Sequence, residues 1–257
     1  VNLAPRVRSA LEAKLLSLAD DELILGHRNS EWCGHGPILE EDIAFSNIAL
    51  DELGHARLWY EALAELRGEA PETYPDRLVF QRDAADWRSL PFVELPKGDW
   101  AFSMMRQYLF DAFEKARCEA LAECAFKPMR DAAAKIAREE IYHLRHTEAW
   151  TLRLALGTEE SRIRMARALE ELWPWTAQLF EPTEGEAALV AAGIAPDAAK
   201  LREAWRERVG ALLKDCELTP PKGAMPLAFD RIRFGPHRSA LLQEMQEVAR
   251  VEPEAKW

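Results

Sequence analysis

Apolar positions recur at three- and four-residue spacing along most of the chain, and alternating strand-type patterns are scarce. This period predicts a first helix over about Pro5–Arg28, with the stripe Leu11, Leu15, Leu18, Glu22, Leu25. A second spans about Ile38–Leu66, with Phe45, Ile48, Glu52, His55, Trp59 and Leu63 on one face. Between them, NSEWCGHGP carries the turn residues Asn29, Ser30, Gly34, Gly36 and Pro37. Residues 68–98 are rich in Pro and Asp and show no helical stripe, so a long irregular connection is expected there. A third helix spans about Asp99–Phe126 and breaks at Lys127-Pro128. The fourth runs from Pro128, a good first helical residue, to about Leu156, where Gly157 ends it. Further helices are expected over about Glu159–Leu179, Pro196–Cys216 and Pro236–Arg250, with LTPPKGAMP between the last two. The expectation is one all-α domain: a core bundle over about 5–156 and a helical extension over about 157–257.

The stripes are interrupted by residues that do not belong in a core. Glu52 and His55 stand three apart in the second helix, and Glu140 and His143 repeat that spacing in the fourth. Residues three apart share a helix face, so each pair offers a carboxylate and an imidazole to one point. Glu22 lies between Leu18 and Leu25, and Glu114 lies among Phe110, Cys118 and Leu121. Taken singly, each has an ordinary explanation as a solvated face or a partnered ion. Together, one Glu from each of two helices and E-x-x-H from each of two others form the ligand set of carboxylate-bridged di-iron or di-manganese bundles.

Spacing gives an independent check, because ligands at equal depth in an antiparallel hairpin lie equidistant from its turn. The midpoint between Glu22 and the Glu52/His55 pair falls near Pro37, and that between Glu114 and Glu140/His143 falls at Lys127-Pro128. Both are breaks placed from Gly and Pro alone. The 68–98 segment then becomes the long crossover between two hairpins that a ferritin-like bundle requires. Two divalent cations would neutralise four buried Glu, and mixed carboxylate and histidine ligation suits iron or manganese. Two metal ions per chain, iron by preference, are therefore expected on Glu22, Glu52, His55, Glu114, Glu140 and His143, with Glu52 and Glu140 as bridging candidates. Ligating imidazoles usually donate their second N–H to an acid. Asp51 and Glu139, each preceding an E-x-x-H, are expected to cross the bundle to His143 and His55. His35 is read as structural, His27 and His146 as packing or hydrogen-bonding groups, and Tyr108 as a core aromatic.

The chain's 257 residues are 48% hydrophobic and 30% charged, enough to bury a core. A net charge of −11, with basic residues interspersed among acids, argues against nucleic acid and anionic membrane surfaces as partners. No apolar run reaches membrane-spanning length, and the first residues lack a signal-peptide core, which together point to the cytoplasm. The four cysteines, Cys33, Cys118, Cys124 and Cys216, form no C-x-x-C and are expected to be reduced thiols. No phosphate-cradling glycine loop is present, so the sequence does not locate a nucleotide.

GHRNSEWCGHGPILEEDIAFSNIALDELGHARLWY resembles the C-type subunits of the bacterial phenylacetyl-CoA oxygenases, or ring 1,2-epoxidases. The likeness continues through MRQYLFDAFEKA, EEIYHLRHTEAW, LWPWTAQLFEP and LLQEMQEVARVEPEAKW, and so covers essentially the whole chain. The E-W-C-G-H turn is far more specific than any E-x-x-H. The resemblance implies a ferritin-like subunit in phenylacetate degradation. It also implies association with a related, catalytic A-type subunit that holds a di-iron centre, a reductase as electron donor, and phenylacetyl-CoA as substrate of a homo- or hetero-oligomeric complex. The resemblance further implies a structural partner that has lost part of its metal site, as C-type subunits are generally described. Here all six ligand positions are filled. Three readings follow: an oxygenase subunit with its own di-iron site, a metal-free or metal-stabilised scaffold, and, ranked last, an independent ferroxidase or manganese protein.

Overall fold

The computed structural model describes residues 3–221, 231 and 236–252 and contains no strand among them. Four long helices carry the architecture. Helix α1 (Pro5–Ser30) and α2 (Leu39–Arg67) form one antiparallel hairpin. After the short helices α3 (Tyr74–Phe80) and α4 (Pro91–Glu94), α5 (Trp100–Ala120) and α6 (Lys127–Ala155) form the second. Helix α2 packs on α6, which closes the two hairpins into a four-helix bundle. This is the all-α, ferritin-like arrangement of two hairpins joined by one long crossover.

Local chemistry sets the ends. Pro5 opens α1, the acidic first turn Glu40, Glu41 and Asp42 suits the N-terminus of α2, and Gly68, at φ 75°, ends α2 in the left-handed region. Asp99 caps α5 by accepting from the Phe102 N–H. The third helix ends earlier than its sequence period suggests: α5 stops at Ala120, and a 3₁₀ turn over Leu121–Glu123 leads to the hairpin bend.

The crossover is not structureless. Besides α3 and α4 it holds a 3₁₀ turn at Ala84–Asp86, and it buries Trp87, Leu90, Phe92 and Val93 completely. Two acids of α1 tie it down. Asp20 accepts from the Arg88 N–H (2.7 Å) and from Arg82 (2.6 Å), while Asp21 accepts from the Leu90 N–H (2.7 Å). Thus Asp20 and Asp21 anchor the strap that covers α1, and their neighbour Glu22 points into the bundle.

Beyond Gly157 lie α7 (Glu159–Leu172), α8 (Glu186–Ala191), α9 (Ala198–Asp215) and α10 (Pro236–Val251). The expected fifth helix to Leu179 gives way at Leu172 to a 3₁₀ stretch, Trp173–Phe180, because Pro174 removes a helical N–H. Helix α8 has no counterpart in the sequence reading. Helices α7 and α9 cover α5, and the Trp205 indole donates to the Leu109 carbonyl at 2.9 Å. Trp205 is therefore core, with Trp173 and Trp175 half-buried against it. Most of LTPPKGAMP and the last five residues lie outside the described residues.

Candidate metal centre

Four helices deliver a closed polar box to the bundle centre. Glu22 comes from α1, Glu52 and His55 from α2, Glu114 from α5, and Glu140 and His143 from α6; none is more than 1% exposed. The structure brings all six together and adds Asp111, one turn before Glu114 and fully buried. Two donor groups result, each with one ligand atom per residue and all such atoms within 4.8 Å of one another. Glu22, Glu52, His55 and Glu114 form the first; Glu52, Asp111, Glu140 and His143 form the second. Glu52 belongs to both, whereas Glu140 falls in the second alone.

The imidazoles sit between the box and its rim. His55 Nδ1 is 3.6 Å from Glu52 Oε2, and its Nε2 is 3.0 Å from Glu139. His143 Nδ1 is 2.8 Å from Glu140 Oε1, and its Nε2 is 3.3 Å from Asp51. Each acid thus reaches the imidazole of the opposite helix, with Nδ1 directed inward. His146 lies outside the box, 3.3 Å from Glu41 and stacked on Phe45. His35 is exposed and contacts the Cys33 carbonyl (3.1 Å), and Tyr108 is core, its hydroxyl 3.3 Å from the Arg208 carbonyl. All four cysteines are free thiols.

Helix α5 supplies Gln107, Asp111 and Arg117, none of which the sequence analysis names, and α6 adds Thr147. Gln107 donates to Glu52 Oε1 and Asp111 Oδ1, both at 2.6 Å, and accepts from Asn29 at 2.7 Å. Thr147 donates to the other oxygen of Asp111 at 3.1 Å. Arg117, 2% exposed, places one nitrogen 2.7 Å from both Glu22 Oε1 and Glu114 Oε1. A sequence signal existed: Gln107, Asp111, Glu114 and Arg117 repeat at four- and three-residue intervals within an apolar helix.

The electrostatics are those of crowded, buried acids. Burial raises Glu22 well above the usual carboxylate range, reinforced by the charge of Glu114. Burial and the Glu140 charge do the same to Asp111, and burial lifts Glu140 to about 7. For Glu52, burial is outweighed by His55 and His143, and its pKa falls to about 2. For His55, burial is outweighed by Glu52, and its pKa rises to about 9. Protons and Arg117 here offset charge that cations could offset instead.

The donor set fits divalent metal. Glu22 Oε2, Glu52 Oε2, His55 Nδ1, Glu114 Oε2 and Glu140 Oε2 are buried without a hydrogen-bond partner among the described residues. Orphaned buried polar atoms are costly, and these five all belong to the box. Five carboxylates against one guanidinium leave four negative charges, the complement of two divalent ions. Iron and manganese both accept this mixture of carboxylate and imidazole.

The chain is similar over 248 residues to the C-type subunit of the 1,2-phenylacetyl-CoA epoxidase of Escherichia coli (strain K12), at 39% identity, covering 96% of this chain and 99% of the relative. It is similar to the A-type subunit of the same epoxidase at 24% identity over 177 residues, 69% of this chain and 56% of that one. A solved structure, a Synechococcus protein described as having aldehyde deformylating oxidase activity, shares the fold with a TM-score of 0.61. It has 16% identity, with 94% of this chain and 98% of that chain covered. Residues 2–257 match the family described as Phenylacetic acid catabolic protein, and the chain belongs to that family.

Proposed function

We propose that this chain is the C-type subunit of a phenylacetyl-CoA epoxidase, working with a reductase and a related A-type subunit in cytoplasmic phenylacetate catabolism, and that it holds two iron ions of its own. The subunit role is supported by near full-length similarity to the C-type subunit of E. coli. The iron reading is carried by one observation: two four-residue donor groups share Glu52 and contain five buried ligand atoms that nothing else among the described residues satisfies.

In this reading Glu22, Glu52, His55 and Glu114 hold one ion, and Glu52, Asp111, Glu140 and His143 hold the other. Asp111 joins the six residues expected from sequence. Bound iron would supply oxygen activation and a template for the reacting groups. The protein's own residues do the rest. Glu139 and Asp51 fix the imidazoles with Nδ1 inward, Gln107 holds Glu52 and Asp111 together, and the crossover anchored on Asp20 and Asp21 keeps water from α1.

A second reading, a scaffold subunit supporting a separate catalytic partner, is favoured by Arg117. Its guanidinium joins Glu22 to Glu114 and partly closes the box without a metal ion. Metal content separates the two. Protein from iron-supplemented cells, alone and with its A-type partner, is expected to carry two irons per chain, lost in Glu52→Ala/His55→Ala. Iron-free protein that still forms a fully active complex would leave only the scaffold.

A further inference from the structure

The two halves of the box are not equivalent, and α5 is the reason. Asp111, Glu114 and Arg117 follow one another at three-residue intervals on one helix face, spanning about 9 Å of axis at 1.5 Å per residue. Asp111 adds a negative charge to the group containing Glu140 and His143. Arg117 adds a positive charge to the group containing Glu22 and His55, at 2.7 Å from one oxygen of both Glu22 and Glu114. An ordinary box of four Glu and two His would have no such gradient. Here one end carries an extra acid and the other a built-in cation.

That cation is fixed. Arg117 is buried, contacts the Phe113 ring (5.1 Å), and is held charged because Glu114 and Glu22 outweigh its burial. A guanidinium does not deprotonate in proteins, so it cannot withdraw its charge as an imidazole could. A divalent ion on Glu22 and Glu114 would share both carboxylates with it, in a dry interior where like charges repel strongly. At the other end Gln107 and Thr147 already hold Asp111 by both oxygens, and Gln107 holds Glu52 beside it. That end is organised to receive a cation; the Arg117 end must accommodate one against a resident charge.

We infer that Arg117 grades the box into a tight and a weak cation position. The group Glu52, Asp111, Glu140 and His143 loads first, and the group Glu22, Glu52, His55 and Glu114 loads second and more weakly. The inference rests on the metal reading proposed above and deepens it: Asp111 becomes a ligand of the tight position, and Arg117 a positioning residue that opposes the second ion.

The test is Mn²⁺ titration of the metal-free full chain, read by electron paramagnetic resonance of the free ion. Wild type is expected to bind one Mn²⁺ tightly and a second about 10–100-fold more weakly, the scale on which groups outside the ligand set tune metal sites. Arg117→Gln should narrow that gap by tightening the second ion. Should that variant fold poorly, the order of loss gives a second measurement: Asp111→Asn should remove the tight phase, and Glu22→Gln only the weak one. Two ions of equal affinity in wild type, a gap unchanged in Arg117→Gln, or loss of the tight phase in Glu22→Gln would overturn the role of Arg117 and leave the metal reading standing. No Mn²⁺ bound by wild type or any variant would overturn the metal reading, and this inference with it.

Discussion

Glu139 on α6 reaches across the bundle to His55 on α2, its carboxylate 3.0 Å from Nε2, and so orients an imidazole that belongs to the opposite helix. Asp51 returns the contact to His143 at 3.3 Å and is the more exposed of the two acids, at 47% against 34%. An acid that fixes the tautomer and raises ligand basicity is worth about 10–100-fold in metal affinity. Glu139→Gln is therefore expected to weaken Mn²⁺ or Fe²⁺ binding within that range, and Asp51→Asn by less, because its contact is longer and wetter. Equilibrium titration of both variants checks this. Unchanged affinity in Glu139→Gln would reduce the crossing acids to surface decoration.

Gln107 is the fully buried residue that joins the box to α1. Its amide donates to Glu52 and Asp111 and accepts from Asn29. Leucine in its place would fill similar volume and leave all three partners short of a hydrogen bond. Each buried group so orphaned costs about 1–3 kcal/mol. Gln107→Leu is thus expected to lower the unfolding midpoint of the metal-free protein clearly. Saturating Mn²⁺ should shrink the loss, since a cation can take the oxygens of Glu52 and Asp111. It should not abolish it, because Asn29 stays unpaired. Denaturant unfolding with and without Mn²⁺ measures both parts, and equal losses in the two conditions would contradict the account.

The reach of sequence reasoning follows from how each residue is placed. Glu52, His55, Glu140 and His143 are legible because they interrupt the apolar stripes of α2 and α6, and Glu22 and Glu114 because each is an acid flanked one turn away by apolar residues, Leu18 and Leu25 for the one, Phe110 and Cys118 for the other. Helix α5 yields less than it holds: every residue from Ser103 to Glu114 is buried, under α6 on one side and α7 and α9 on others. With no solvent face there, periodicity does not distinguish which further polar residue points at the box, and Gln107, Asp111 and Arg117 carry no signal as plain as the E-x-x-H pairs. The helices of the crossover escaped for a different reason. They are short, and long-range bonds to Asp20 and Asp21 hold that segment, which leaves little local period to detect. Asp51 and Glu139 sit at stripe edges, where only the pairing rule for ligating histidines distinguishes them from solvated acids.

Gly26 lets α1 approach α2 closely beside the box. A Cβ there would lie 3.0 Å from the Ala49 carbonyl oxygen and 3.0 Å from Cβ of Glu52. Alanine would bring about 1 kcal/mol of helix propensity. Overpacking against a rigid neighbour costs about 1–3 kcal/mol, and here the obstacle is backbone rather than a flexible side-chain end. The clash should win. Gly26→Ala is expected to be destabilising, and to weaken metal binding because Glu52 shifts with α2. A stabilised variant in thermal unfolding would show that the hairpin can part without cost.

Asp42 governs the turn that carries E-W-C-G-H. Its carboxylate accepts from the Gly36 N–H at 2.9 Å, and the amides of Gly36 and Gly34 draw its pKa below the ordinary 3.8. A carboxylate with a depressed folded pKa stabilises the folded state in full above the unfolded value, and that contribution fades as pH falls through the folded value. Asp42→Asn is therefore expected to melt below wild type at pH 7, with the two converging in acid once the wild-type carboxyl is protonated. The approach is close enough to require glycine, since a Cβ on Gly36 would lie 2.7 Å from the Asp42 backbone. Carbon-detected NMR titration of Asp42 and paired melting curves at neutral and acid pH check the two halves of the argument. A gap that stays constant across that range would mean that the charge of Asp42 contributes nothing and that the turn is held by its shape alone.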